Sequence, residues 1–356
     1  MGNARFLYDN RITSESMISV SSLRTGMVTG AIKRGTGSAV LNPSGNYTET
    51  TDKEYIIEID SIAAGAEVGQ ATFKWSAGGG GWNASGVITS ATNITLNNGV
   101  TINWSSGSGD DFVVGDRWYL KGINLFNAGR MIDLDRDNRY RSAALESPNT
   151  ITIDKLSAQE EKALVIFDHN LTSGATIALK ENTANAWSTP AFSEGVTWNL
   201  EKMLHYLSAA QTYRYDQIQI TDPSNPDGYI EISELFLGSY LELSKNFDNG
   251  YSRQINFLMD KNTTPYGVGK KRFYNQQSVF TFDFNDMPAA DVTSMITLIN
   301  AVSNRDTGLF NPFWFNPDSD VPNEFYLVEI TSLPVNHSKL SYFNMPLELT
   351  EVVTSV

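Results

Sequence analysis

The side chains best able to do chemistry in this sequence are its carboxylates, and one run of them has the spacing of a cation loop. Asp133-Leu134-Asp135-Arg136-Asp137-Asn138 places an acid at every second position, which can turn several oxygens toward one Ca²⁺. The EF-hand form of such a loop needs Gly next and Glu at the twelfth position; here those positions hold Asn138 and Ala144. The EF-hand form therefore fails; the run reads as an exposed loop whose acids pair with Arg136, Arg139 and Arg141, with a looser calcium site as the alternative. His169, His205 and His337 lie at no metal spacing from one another. His169 follows Phe167-Asp168 and reads as a strand-end turn residue. Gly78 to Gly81 precede no Gly-Lys-Ser/Thr and form no phosphate loop. No Gly-x-Ser-x-Gly occurs, and with 0 cysteines there is neither thiolate catalysis nor a thiolate zinc site. The expectation is a protein that is not an enzyme, with no catalytic residue, no metal and no cofactor.

Flat aromatic rings are the other chemical resource, because they stack on pyranose faces. Trp75 and Trp104 alternate with polar residues in strand-like stretches and read as core, with Trp118 closing the same unit. Trp82, after the glycine run, and Trp187, within Asn182 to Ser193, lie in loop-like stretches. They are the candidate glycan contacts. Asp222 and Asp227 join them, from the turn Asp222-Pro223-Ser224-Asn225-Pro226-Asp227-Gly228. Pro there presets φ and Gly accepts φ > 0.

The elements that would position these residues are mostly strands. Tyr55 to Ile59, Ala71 to Ser76, Val100 to Trp104, Asn149 to Asp154 and Thr176 to Lys180 carry the strand period or its buried variant. Ala163 to Phe167 is a continuous apolar run, as in a strand covered on both faces. Thr212 to Thr221 is a mixed strand with Tyr213, Tyr215, Gln217 and Gln219 on one face and Ile218 and Ile220 off it. Tyr229 to Gly238 follows the turn. In the last third, Val292, Met295, Ile296, Ile299 and Val302 fall on one helical stripe, predicting a helix over 288–305 that opens at Pro288 and reaches Arg305. Phe280, Phe282 and Phe284 share one strand face, and Phe313, Trp314 and Phe315 follow the helix. Together these six read either as the apolar surface of an assembly interface or as packing within the unit itself.

Composition narrows the classes further. The 356 residues carry 26 basic and 40 acidic side chains, a net charge of −14, which opposes general binding to nucleic-acid phosphates. No apolar run approaches the 18 residues or so of a membrane span. The N-terminal stretch lacks the apolar segment expected of a signal peptide. The seven Asn-x-Ser/Thr sequons then reflect a strand-and-turn composition rather than glycosylation.

Several stretches carry a family resemblance. Ala4 to Asn10, Asn124-Leu125-Phe126, Arg139-Tyr140-Arg141-Ser142 and Thr150 to Asp154 resemble the opening of a discoidin-type (coagulation factor 5/8 C-like) jelly roll. Tyr140 stands where that family has Trp, and Lys155-Leu156 where it has Leu-Gly. Ala163 to Asn170 and Thr212 to Gly238 are similar to its later strands. Ala71 to Ser76 and Asp110 to Tyr119 resemble a β-domain common in phage tail-fibre and tail-tip proteins. Asn311 to Phe315 and Pro346 to Val352 are similar to the ends of distal tail proteins. The resemblance implies a mostly β chain: a discoidin-like jelly-roll β-sandwich at 1–45 and 121–245, an inserted β-sandwich at 46–120, and an α+β tail-assembly domain at 246–356. It further implies a structural component of a phage tail, located in the virion and made in the host cytoplasm. Its partners would be copies of itself in a ring of three or six, other tail proteins and host surface polysaccharide, without nucleic acid or membrane insertion. A carbohydrate-binding module protein with no virion role is the alternative.

Overall fold

The computed structural model describes residues 2–49, 51–248, 250–263, 269–304, 309–339 and 342–353. Strand accounts for 53% of the chain and helix for 6%, so the mostly β expectation holds. Two compact units form. The first comprises Met1–Ser21, Gly129–Arg139 and Leu145–Val356, and the second Ser22–Ala128 and Tyr140–Ala144.

The second unit is a sandwich of two antiparallel sheets. One orders Met27–Val28, Arg117–Ile123, Lys53–Ser61, Thr72–Ala77 and Ala84–Ile88, and the other Val40–Gly45, Val100–Ser105 and Ile94–Thr95. Alternation turns Ile57, Phe73, Trp75, Ile102, Trp104 and Trp118 inward, where all are buried. Trp104 meets Phe73, Phe112 and Trp118 edge to face, with centroids 4.9, 5.9 and 6.2 Å away. Such pairs add about 0.5–1.5 kcal/mol each beyond their burial.

The first unit is built on one long antiparallel sheet. Its order is Phe192–Val196, Thr176–Asn182, Lys202–Thr221, Asn149–His169, Glu231–Glu242, Arg5–Asn10, Phe313–Asn316, Tyr326–Ser332, Tyr342–Glu351, Gly269–Pro288 and Ser252–Thr263. The two stretches Asn149 to Asp154 and Ala163 to Phe167 belong to one strand, Asn149–His169. Its pairing with Lys202–Thr221 slips between Asp154 and Gln159 and again between Glu161 and Ala163. Such irregularities bend a strand and raise its twist, so one strand serves two parts of a curved sheet. Ala163 to Phe167 is buried along its whole length. Gly238 lies opposite Asn10, where a Cβ would come within 2.1 Å of the Asp9 carbonyl oxygen. Only glycine allows that approach.

The helix is Ala289–Val302, with Pro288 as its extended N-cap rather than its first helical residue. Arg305 lies outside the described residues. Val292, Met295 and Val302 face the core as expected, but Leu298 is buried and Ile296 exposed, so the stripe is rotated slightly. Asp291 fixes that rotation. It is buried in the first turn and accepts hydrogen bonds from the Ser244 hydroxyl (2.7 Å) and from the Ser244 and Lys245 amides (both 3.2 Å). Beneath the helix, Phe280, Phe282, Phe284, Phe313 and Phe315 pack with Phe6, Met345, Leu347 and Leu349. Trp314 points through the opposite face onto Phe167, 4.9 Å between centroids. All six aromatic residues expected at an assembly interface are therefore interior, at most 2% exposed. The amphipathic helix covers the phenylalanine face within the chain, so these rings offer no docking surface.

Candidate functional site

Strand Thr176–Asn182 turns Ile177, Leu179 and Glu181 inward, and Lys202–Thr221 turns Asp216, Ile218 and Ile220 inward. The register sets Glu181 directly opposite Asp216. Two acids facing across a strand pair on a buried face repel, so the sheet alone disfavours the arrangement. The slip in Asn149–His169 swings Lys155 and Glu161 into the same interior. The Lys155 ammonium lies 2.5 Å from Glu161 Oε1 and 2.9 Å from Asp216 Oδ2, with both pairs wholly buried. Glu161 Oε2 and both Glu181 oxygens meet no hydrogen-bond donor among the described residues. Burial, with Asp216 next, pushes Glu181 up to about 8. Burial lifts Asp216 to about 6 against the pull of Lys155, and holds Glu161 well above the carboxylate range. This quartet can hold protons or a cation. Its burial keeps it from acting on a substrate in solution.

A polar cleft of about 360 Å³ opens elsewhere in the first unit, lined by Arg136, Asp168, Glu201, Lys202, Tyr326 and Glu351 among others. Asp168 (φ +50°) and Glu201 (φ +66°) both adopt the left-handed conformation, and the Asp168 amide donates to the Glu201 carbonyl at 2.6 Å. Paired strain of this kind concentrates at functional sites. Lys202 donates to the Phe325 carbonyl (2.8 Å) and lies 4.8 Å from the Tyr326 ring centre. Burial lowers its pKa. The cleft presents two cations, Arg136 and Lys202, beside three acids, Asp168, Glu201 and Glu351, a mixed polar lining that suits a neutral hydroxylated ligand.

The residues singled out from the sequence fall in separate places. Trp187 sits between Thr176–Asn182 and Phe192–Val196, its indole N–H donating to Asn185 Oδ1 at 2.8 Å. Asp222 and Asp227 lie at the other end of Thr176–Asn182, because Thr176 pairs with Thr221 and Asn182 with Tyr215. Seven strand residues separate the two groups by roughly 20 Å. Asp222 is buried and accepts from the Thr172 amide (2.8 Å) and hydroxyl (2.7 Å), so it clamps a turn and is closed to a ligand. Asp227 is exposed and accepts from Asn170 Nδ2 at 2.9 Å. Trp82 belongs to the second unit, 44% exposed, with the Lys74 ammonium 4.4 Å from its ring centre.

His169 is buried at the strand end. Its Nδ1 accepts from the Leu171 amide and its Nε2 faces the Asn199 carbonyl, both at 3.1 Å, and burial holds its pKa down. The acidic loop differs in its partners. Asp133 accepts from Arg130 and Asn138, while Arg139 reaches Asp168 (2.8 Å) and Glu231 (3.1 Å). Arg136 Nη1 donates to the Val352 carbonyl.

No protein-family model matches the chain. No curated protein matches it either. Solved structures match about a third of it at low similarity. A fucosidase of Ruminococcus gnavus in complex with fucose is 14% identical over 34% of this chain and 23% of its own, with a TM-score of 0.28. The chain thus spans less than a quarter of that enzyme. A chitosan-binding module of a Paenibacillus chitosanase/glucanase, in complex with chitotriose, is 18% identical over 33% of this chain and 89% of its own (TM-score 0.27). A fucose-binding module of Streptococcus pneumoniae is 11% identical over the same two shares (TM-score 0.27).

Proposed function

We propose that the chain is a non-catalytic structural protein of a phage tail that assembles with copies of itself and touches host surface glycans. The observation that supports self-assembly is the sheet edge. Ser252–Thr263 ends the long sheet and pairs only with Gly269–Pro288 among the described strands. It exposes Ile255, Phe257, Leu258 and Met259. Phe257 is 59% exposed and packs only loosely on Phe273, itself 57% exposed, at 6.2 Å. A long apolar edge invites pairing with another chain. A second copy is the natural occupant, adding a strand through backbone hydrogen bonds while the rings set the register. In this proposal 246–356 supplies the assembly surface and 1–245 the adhesive one, and the protein resides in the virion.

Phe257→Asp should convert a ring oligomer to a monomer in light scattering, with circular dichroism unchanged. A wild-type monomer in dilute solution and on virion-like scaffolds would exclude the assembly role and leave a free carbohydrate-binding protein.

Glycan contact is assigned to Trp82, which is exposed, and to the half-buried Trp187. Trp82→Ala and Trp187→Ala should each weaken binding to host polysaccharide about tenfold or more, the loss expected from one stacked ring of roughly 1–3 kcal/mol. Their melting temperatures should stay at the wild-type value. If both variants bind normally and Lys202→Met does not, the cleft rather than the loops holds the sugar.

A further inference from the structure

The geometry points to a binding site for a hard divalent cation, of the calcium class, held inside the first unit by Glu161, Glu181 and Asp216. One carboxylate oxygen from each residue lies within 4.8 Å of the others. Calcium binds oxygen at about 2.3–2.6 Å, so two ligands on opposite sides of one ion stand roughly 4.6–5.2 Å apart. The spread of the three oxygens is thus within what one such ion can span, on the side of Glu161 and Asp216 that Lys155 does not occupy.

Glu181 supplies the independent observation. It is 0% exposed, yet neither of its oxygens finds a hydrogen-bond donor among the described residues. An ionised carboxylate left so is strongly disfavoured. Protonation removes the charge but leaves a hydroxyl that also needs an acceptor. A cation satisfies the oxygens at the spacing they have.

The charge sum agrees. Lys155 contributes one positive charge and the three carboxylates up to three negative ones, so one divalent ion brings the interior to neutrality. Lys155 holds Glu161 by Oε1 and leaves Oε2 free. Calcium suits the site better than magnesium, which keeps several waters and demands octahedral order.

The test uses the full chain, stripped with chelator and dialysed at pH 7.5. Calcium chloride is then titrated by calorimetry, with melting followed in parallel. The expected result is one ion per chain and a rise in melting temperature of about 5 °C near a hundredfold excess over Kd. Glu181→Gln should fold and melt in chelator at or above the wild-type temperature, because it removes a carboxyl that must take up a proton to be buried, and should lose the calcium response. Asp133→Asn should keep the response, which separates this site from the surface loop. Absence of heat and of any melting shift with calcium, magnesium or manganese overturns the assignment, as does a full response in Glu181→Gln.

Discussion

Replacing Lys155 with methionine is expected to cost the first unit about 3–5 kcal/mol at pH 7, the usual penalty for removing one partner of a buried ion pair. Lys155 is the cation that Glu161 and Asp216 share in the interior, at 2.5 and 2.9 Å, and none of the three side chains reaches solvent. Methionine keeps the length and most of the volume, so the loss is electrostatic rather than a cavity. Without the ammonium, the acids must take up protons on folding or remain charged in a medium that solvates them poorly. Urea unfolding separates this from a global effect. The indole cluster around Trp104 lies in the second unit and reports on that unit's transition, which should not move. A first-unit transition within about 1 kcal/mol of wild type would mean that protons or an ion already carry the compensation.

Most of the fold follows from alternation. Thr72–Ala77, Val100–Ser105 and Thr176–Asn182 lie where the period of two places them, because each has one face on a core. The same rule reaches the buried quartet. Glu181 has the parity of Ile177 and Leu179, and Asp216 that of Ile218 and Ile220. Following each apolar stripe one step further would have put two carboxylates inside. Their meeting was not legible, since it depends on the register between strands 176–182 and 202–221, as does the entry of Lys155 on the slip after Asp154. The phenylalanine stripe in Gly269–Pro288 was also readable as one face. What covers it is a matter of tertiary packing: the helix, and Phe6 from the far end of the chain. Likewise, Asp222 looks like any turn acid until Thr172 is brought beside it.

The stability of the stripped first unit should fall as pH rises from 6.5 to 8, and Glu181→Gln should flatten that fall. Burial places the Glu181 carboxyl at about 8, against an ordinary 4.5, so between those values the native state holds a proton that the unfolded chain has released. When the native state binds more protons, stability declines with pH, by up to about 1.4 kcal/mol per unit for each such group. The contribution is complete below pH 4.5 and lost above 8. Glu234, raised to about 9 by burial and by Asp133 and Asp135, acts with the same sign over a longer range. Asp216, at about 6, adds its share mainly below the measured window. His169 works in the opposite direction, but only below its ordinary 6.5, because burial keeps it neutral. The groups facing Glu181 are Asp216, Glu161, Lys155 and, more weakly, Glu194, and Gln at 181 leaves all of them in place. The difference between wild type and Glu181→Gln therefore isolates one carboxyl. At pH 8 the variant should be the more stable protein, and at pH 5 the two should converge. A wild-type melting temperature that is flat or rising over 6.5–8 in chelator would show that Glu181 is ionised when folded. Calcium should remove the wild-type slope by the same logic, since an ion that binds the ionised carboxyl makes deprotonation favour the native state.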